Sequence, residues 1–397
     1  MVETAETSIA RAIEIPVVRA QDLWRVHSRV VIDLRSPSEF AEDHVPGAVS
    51  VPLFDDVQRA LVGTLFRQVS PSAAFEEGRA IVREKIRALV GDIARHSGLR
   101  PDADDLEARV AAMTSGGYER FFSELGAARR IEAPRNPVVF TCWRGGLRSR
   151  SVLAFVRSIG MREAALLEGG YRSYRASICA EIEGFAFPPA FVLRGLTGVG
   201  KTLVLRAIER MRPGWTLDLE GLAEHRSSLL GMVGLEPCSQ KMFESRFAMR
   251  LRAGFPGFFV VEGESRKVGD MILPKGVWSA MSSGTSSQIS ASLESRVRVL
   301  CDDYLASPNS RAELAQQLPR VESRMRRKHG APSLVSMLES GARTELVQTL
   351  LEHYYDPLYR HTDKDQMYAA NFEADDPERA ANVIVAWIER YMIRQRS

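Results

Sequence analysis

Short apolar runs, each ending on a polar residue, punctuate this chain. Val30-Val31-Ile32 stops at Asp33, Pro137-Val138-Val139-Phe140 stops at Thr141-Cys142, Phe191-Val192-Leu193 stops at Arg194, and residues 258–261 stop at Glu262. Runs this short and this continuously apolar predict strands buried on both faces, the pattern of parallel sheets. The stretch RVVIDLRSPSEFAEDHVPGAVSVPL, residues 29–53, shows the repeating logic. A strand reaches Asp33, a helical turn follows with Ser36 or Ser38 as its cap, Val45-Pro46-Gly47-Ala48 makes a turn, and Val49-Ser50-Val51-Pro52 is a second strand. Strand, helix and strand in so few residues indicate a parallel α/β unit.

The pattern changes over residues 55–133. Ile81, Ile86, Leu89, Val90 and Ile93 fall at helical spacing, and DDLEARVAAM and GGYERFFSELGAARRIE continue it, so this region is predicted to be a helical insertion. The α/β pattern resumes with NPVVFTCWRGGLRSRSVLAFVRSIG, read as strand, loop and a helix from about Arg148 to Ile159; a last short strand and helix follow. Phe187-Pro188-Pro189 reads as a linker. Beyond it the strand at 191–193 leads into a helix over Lys201–Met211, another strand lies within 257–265, and after about residue 290 the chain reads as helical and charged. The expected fold is therefore α/β, with one domain over 15–180, its insertion at about 55–133, and a second over 188–397 with a helical, basic C-terminal part.

Composition narrows this little. The 397 residues are 45% hydrophobic and 26% charged, and the net charge of +3 means that any nucleic-acid site must come from local clustering of Arg and Lys. No signal-peptide-like run opens the sequence and no run is long enough to span a membrane. The four cysteines are scattered with no CxxC pair, so neither a zinc ribbon nor a disulfide framework is suggested, and a reducing cytoplasm fits.

Two loops carry chemistry. The first, Cys142-Trp143-Arg144-Gly145-Gly146-Leu147-Arg148, joins a strand to a helix. Consecutive amides there can form an anion nest, the helix N-terminus adds partial positive charge, and a thiol so placed is biased toward the reactive thiolate. Sulfur or selenium carriage and phosphate-ester hydrolysis share this loop, because Cys-x5-Arg is also cysteine-phosphatase spacing; the usual preceding His is Thr141 here. The second, GLTGVGKT at residues 195–202, satisfies the phosphate-loop pattern in the required strand–helix context. Gly195, Gly198 and Gly200, with Thr197 and Val199 between them, let backbone amides wrap a phosphate; Lys201 adds charge and the Thr202 hydroxyl can meet a phosphate oxygen or a metal-bound water. Glu262 and Glu264 are the candidate acidic partners. The loop indicates phosphate or diphosphate without by itself indicating ATP hydrolysis, and the absence of a guanine-recognition motif disfavours a GTPase. No protein metal-ligand set is predicted, and Mg2+ is compatible.

The D-x-R of Asp33 and Arg35, H-x-P-G-A at 44–48, CWRGGLRS and the L-x-G-G-Y at 167–171 together resemble the rhodanese fold, in which Asp33 and His44 are structural. Joined to a phosphate loop, and with VGTLFRQVSPSAAFEEG (62–78), LDLEGLAEHRSSLLG (217–231), SQKMFESRF (239–247) and VEGESRKVGDMILP (261–274), the chain resembles the tRNA 2-selenouridine synthase family over nearly its full length. Ser227, Leu230 and Gly263 depart from the pattern expected of that family.

The resemblance implies a rhodanese-like domain with a helical insertion, then a P-loop NTPase-like α/β domain and a helical C-terminal region. It implies a two-step reaction on the wobble uridine of tRNA: S-geranylation of 2-thiouridine by geranyl diphosphate, then replacement of the geranylthio group by selenium from selenophosphate. Cys142 would carry selenium, Trp143, Arg144, Gly145, Gly146, Leu147 and Arg148 would form the selenophosphate loop, and 195–202 would hold diphosphate. No tightly bound cofactor is expected, tRNA is the expected partner, and a selenophosphate-supplying enzyme is a candidate partner. Arg226 and Arg266 are candidates for diphosphate or tRNA contact, weighed against a structural ion pair, and His225 for a core or capping role. Trp143 is suited to stacking on a base. On a helix, Arg320, Arg324, Arg327 and Lys328 would share one face, a phosphate-tracking stripe or a solvated face; HYYDPLY at 353–359 reads as packing. The alternative is a rhodanese-type sulfurtransferase or cysteine phosphatase with a regulatory nucleotide-binding domain.

Overall fold

The structure, a computed structural model, describes residues 14–102, 104–325, 333–359 and 367–396. The chain divides into two compact units, Met1–Ala180 and Glu181–Ser397.

The first unit holds strands β1 (Glu14–Val18), β2 (Val30–Asp33), β3 (Val49–Ser50), β4 (Arg129–Glu132), β5 (Val138–Thr141) and β6 (Ala164–Leu167). Its helices are α1 (Pro37–Glu42), α2 (Asp56–Gln68), α3 (Pro71–Ser97), α4 (Leu106–Thr114), α5 (Gly117–Gly126), α6 (Leu147–Ser158) and α7 (Gly170–Gly184), the last running past the boundary. The strands form one all-parallel sheet in the order β3-β2-β5-β6-β1-β4. On one face Ile32, Phe140 and Leu166 pack with Ile86, Leu89 and Ile93 of α3 and Leu153 and Val156 of α6. The alternate residues Val31, Val139, Ala165 and Leu167 are buried as well, which explains the continuous apolar runs.

Local signals place the helices. A capping box of Ser36 and Glu39 starts α1. Ser70 caps α3, Pro71 opens it, and Gly98 ends it at φ 68°. The expected insertion is helical as far as Gly126, but its last residues form β4, an edge strand paired with β1.

The second unit contains β7 (Ala190–Arg194), α8 (Lys201–Met211), β8 (Thr216–Leu217), α9 (Leu219–Ala223), α10 (Gln240–Arg252) and β9 (Phe259–Glu262). A small antiparallel pair follows, β10 (Lys267–Val268) and β11 (Met271–Ile272), then α11 (Lys275–Ser282), β12 (Thr285–Ser290), α12 (Leu293–Leu305) and α13 (Pro308–Glu322). After α14 (Leu334–Glu339), α15 (Arg343–Leu350) passes through a π turn, Leu351–Tyr355, into α16 (Asp356–Tyr359), before β13 (Ala370–Glu373) and α17 (Pro377–Arg396). The main sheet is parallel in the order β13-β12-β7-β9-β8, with β7 at its centre. α8 and α17 cover one face through Val204, Leu205, Ile208, Ile384 and Ile388. A separate helical core gathers Leu300, Tyr304, Leu314, Leu318, Leu334, Leu346 and Leu350.

Two expectations need correction. The chain after residue 290 is not wholly helical, because β13 returns to the sheet beside β12. The basic stripe is not one helical face either: α13 carries Pro319, which has no N–H to give, and ends at Glu322. Arg324 lies past that end, and Arg327 and Lys328 lie outside the described residues. Among the described residues no helix is long and apolar enough to cross a membrane.

Candidate functional site

Cys142 directly follows β5, at the carboxyl edge of the first sheet, where loops of parallel sheets gather ligands. It is only 2% exposed, and its Sγ lies 3.0 Å from the Ser149 Oγ in the first turns of α6. Neighbouring backbone holds the loop in place: the Tyr171 amide donates to the Cys142 carbonyl at 2.9 Å and the Arg172 amide to the Trp143 carbonyl at 3.0 Å. Gly145 at φ 62° and Gly170 at φ 63° let the two loops meet; a Cβ on Gly170 would lie 2.3 Å from the Cys142 carbonyl oxygen and 2.4 Å from the Gly145 nitrogen. No side chain caps α6, so its first amides remain for an anion.

Beneath this loop lies a buried polar support. The Trp143 and Tyr171 rings are 5.4 Å apart, and the Tyr171 hydroxyl donates to Asp43 Oδ2 at 2.7 Å. Burial and the Asp43 carboxylate push the Tyr171 phenol far up. Arg35 sits 3.8 Å over the Tyr171 ring, pairs with Asp33 through its Nη2 at 2.6 Å and its Nε at 3.0 Å, and donates to the Asp43 carbonyl at 2.7 Å. Asp33 and Arg35 therefore support the loop from below. His44 donates from Nδ1 to the Phe40 carbonyl at 2.9 Å and stacks on the Phe40 ring, also a structural role.

The arginines of the loop differ in their partners. Arg150 donates to the Gly145 carbonyl at 3.2 Å and shapes the turn. Arg148 pairs with Glu39 at 3.3 Å. Burial raises the Glu39 carboxyl, but Arg148, the Ser36 amide and Arg59 outweigh it and hold the group below its ordinary range. Arg144 is exposed.

In the second unit the glycine-rich loop leaves the central strand β7 and enters α8, with Gly198 at φ 78° and Gly200 at φ 82°. A Cβ on Gly195 would stand 2.3 Å from the Ile289 carbonyl oxygen, so only glycine fits there. Val199 is buried in the core, Lys201 Nζ donates to the Gly195 carbonyl at 3.2 Å, and the Thr202 hydroxyl donates to Glu220 Oε2 at 2.9 Å. Arg296 on α12 donates to the Thr197 carbonyl at 2.9 Å while paired with Asp356 at 2.5 Å, bracing the loop from behind.

The acidic partner is a cluster. Glu262 ends β9 beside Leu193 of β7, is fully buried, and accepts the Glu220 amide at 2.9 Å, while its Oε2 has no partner among the described residues. Burial and the charges of Asp218 and Glu220 push Glu262 well up. Burial and Glu264 raise Glu220 to about 7 against the pull of Lys201 and Thr202. Gly263, unexpected between two glutamates, packs on Arg194, where a Cβ would come within 2.6 Å. Among the described residues no group of three or more His, Cys, Asp or Glu could hold a metal. Mg2+ asks less, taking one or two protein oxygens with phosphate oxygens and water. The Thr202 hydroxyl and the carboxylates of Glu220 and Glu262, one with an orphaned buried oxygen, fit that need.

A cavity of about 940 Å3 extends from Lys201 and Thr202 to Arg320, Arg324 and Tyr354, so the structure brings these two arginines to the phosphate loop's own cavity. Arg226 lies on its wall but is committed to Asp303 at 3.3 Å and to the Val233 carbonyl at 2.8 Å. Lys267, rather than the exposed Arg266, lines the cavity. Among the described residues the buried Nδ1 of His225 has no partner, and the ring is gripped by Gly231 and Gly269, where a Cβ would come within 2.6 Å; burial lowers its pKa. Leu230 is a core residue, Ser227 takes a left-handed backbone at φ 42°, and Tyr354 and Tyr355 are buried. Glu220 and Arg296 escaped the sequence reading. The DLEGL stretch offered a signal for Glu220, but nothing local marked Arg296.

The family model described as "tRNA 2-selenouridine synthase AAA domain" matches residues 188–391. Three relatives bear the name tRNA 2-selenouridine synthase. That of Chromohalobacter salexigens is 29% identical, over 86% of this chain and 90% of its own. That of Alcanivorax borkumensis is 30% identical, over 83% and 88%. That of Cupriavidus pinatubonensis is 29% identical, over 92% and 95%.

Proposed function

The chain belongs to the tRNA 2-selenouridine synthase family, and on that premise we propose that it is a transferase placing selenium on the wobble 2-thiouridine of tRNA. Two steps need two anion sites. In the first, the thiouridine sulfur attacks C1 of geranyl diphosphate; the S–C bond forms, the C–O bond breaks, and diphosphate departs. Gly195, Thr197, Gly198, Val199, Gly200, Lys201 and Thr202 hold that leaving group, where backbone amides and the lysine stabilise growing negative charge. Mg2+, held by Thr202 with Glu220 and Glu262, would add positive charge at the same oxygens.

In the second step selenium replaces the geranylthio group, which takes a proton and leaves as geranylthiol, while water attacks the phosphorus of selenophosphate, the P–Se bond breaks, and phosphate is released. Cys142 acts in this step within a rhodanese-like domain, with Arg144, Arg148 and the first amides of α6 receiving the anion. Alkylation makes sulfur a better leaving group than a bare thiocarbonyl. Arg320 and Arg324 contact tRNA phosphate.

The observation that supports this reading best is the pairing of a braced phosphate loop with a cysteine loop in one chain. The test supplies 2-thiouridine tRNA, geranyl diphosphate and selenophosphate, with nucleosides identified by mass spectrometry. Cys142→Ser should stop at S-geranyl-2-thiouridine, and Lys201→Ala should stop before it. Undiminished 2-selenouridine from Cys142→Ser would refute the assignment of the cysteine.

A further inference from the structure

The helices between β3 and β4, together with α6, line a cavity of about 560 Å3 that opens beside the cysteine loop. Phe54, Phe75, Val82 and Ile86 line it, with Leu147 and Phe155 of α6. Trp143 and Arg144, the two residues after Cys142, also line it, so the cavity adjoins the cysteine loop.

Its polar groups are unevenly distributed. The hydroxyls of Thr114 and Ser151 on its wall are spent on the Val110 and Leu147 carbonyls, at 2.7 and 2.6 Å. Among the described residues no carboxylate lines it, and the charged residues on the wall are Arg59, Arg67, Arg79, Arg144 and Arg148, of which Arg59 and Arg148 pair with Glu39 and Arg79 with Glu76. Arg59, Arg67 and Arg144 are exposed, which places cations toward the solvent side of an apolar interior. The volume falls within the range of about 300–1,000 Å3 typical of small-molecule sites. An occupant complementary to this wall has a hydrocarbon body and an anionic head.

We propose that this cavity binds the branched ten-carbon prenyl chain and holds it beside Cys142. The proposal rests on the geranyl-transfer reading above. The chain arrives as part of the S-geranylated wobble nucleotide, since the donor's diphosphate is held at the phosphate loop of the second unit. The hydrocarbon lies among Phe54, Phe75 and Leu147, and the nucleotide's phosphate groups meet the arginines at the rim.

Filling the cavity tests this. Val82→Phe on α3 and Val62→Phe on α2 place rings into it from half-buried positions on two different helices. The full chain is titrated with geranyl diphosphate in one arm and with an S-geranyl-2-thiouridine anticodon stem-loop in the other. Inorganic diphosphate and the unalkylated stem-loop serve as references, and melting curves certify that each variant folds.

A buried methylene is worth about fourfold in affinity. The wild type should therefore prefer a geranylated ligand to its reference by 100-fold or more, and either folded variant should lose at least tenfold of that preference. Loss in the stem-loop arm supports the proposal, whereas loss in the diphosphate arm alone would place the donor here and overturn it. Unchanged preference in both arms for both folded variants overturns the proposal, even if the enzyme geranylates tRNA. Preference lost on filling, with no geranyl transfer by the wild type, keeps the chain site and defeats the geranyl-transfer reading instead.

Discussion

Gly170 is the point where the support under Cys142 can be broken by one methyl group. Alanine there meets two penalties. The left-handed backbone at φ 63° costs an L-residue about 1–2 kcal/mol. The new Cβ would also sit 2.3 Å from the Cys142 carbonyl oxygen, and must retreat by roughly 0.7 Å to reach even the 3.0 Å below which such contacts essentially never occur. Forcing atoms into a packed site adds about 1–3 kcal/mol. Gly47 provides the control, because it has φ 82° and nothing within 4 Å of its missing Cβ, so alanine there meets the backbone penalty alone. Gly170→Ala should thus exceed Gly47→Ala by about 1–3 kcal/mol. Hydrogen exchange of peptides spanning β5 to α6, followed across a urea titration, reads that difference locally. Selenium transfer should fall further, toward about 100-fold, because displacement approaching 1 Å at reacting groups has that effect. Equal stabilities for the two variants, with selenium transfer intact in Gly170→Ala, would refute the tight contact between the two loops.

Two further predictions concern the second unit. Arg296→Ala strips donors from the Thr197 carbonyl and strands the half-buried Asp356; leaving such partners unsatisfied costs about 1–3 kcal/mol, or a melting temperature lower by about 5 °C, and diphosphate binding should weaken with it. An unchanged calorimetric transition would show that the brace carries no stability. Glu220 has a folded-state pKa of about 7 against an ordinary 4.5, so the folded protein binds this proton more tightly than the unfolded chain does. Stability from this group is therefore greatest below the unfolded pKa and declines as pH rises through about 7. Glu220→Gln should flatten that decline without abolishing it, since Glu262 is shifted the same way; equal slopes in urea titrations of wild type and variant would count against it.

Much of the fold could be read from local pattern because its central strands are short, apolar and buried on both faces. The phosphate loop was legible for the same reason, its glycines, lysine and flanking elements being contiguous. Edge strands were not: Arg129–Glu132 is largely exposed and polar, and Ala370–Glu373 follows a long helical stretch, so pairing partners far away in sequence decide their conformation. The brace of Arg296 on Thr197 spans 99 residues, and the pair it makes with Asp356 spans 60; neither separation leaves a periodic trace. α13 runs through Pro319 and closes at Glu322, so it carries Arg320 but not Arg324, an end that the spacing of basic residues does not reveal.

The sheet order gives the insertion one more consequence. β3 and β4 lie at opposite edges of the six-stranded sheet, so the residues between them lead from one margin to the other. Five strand spacings amount to about 24 Å. The 27 residues of α3 alone reach about 40 Å, ample for that crossing. The apolar chamber is therefore built from a strap fastened at both ends. Spreading its walls pulls on both margins of the sheet that carries Cys142, so a guest that fits without spreading them costs the least deformation, and chain length becomes a mechanical criterion as well as a chemical one.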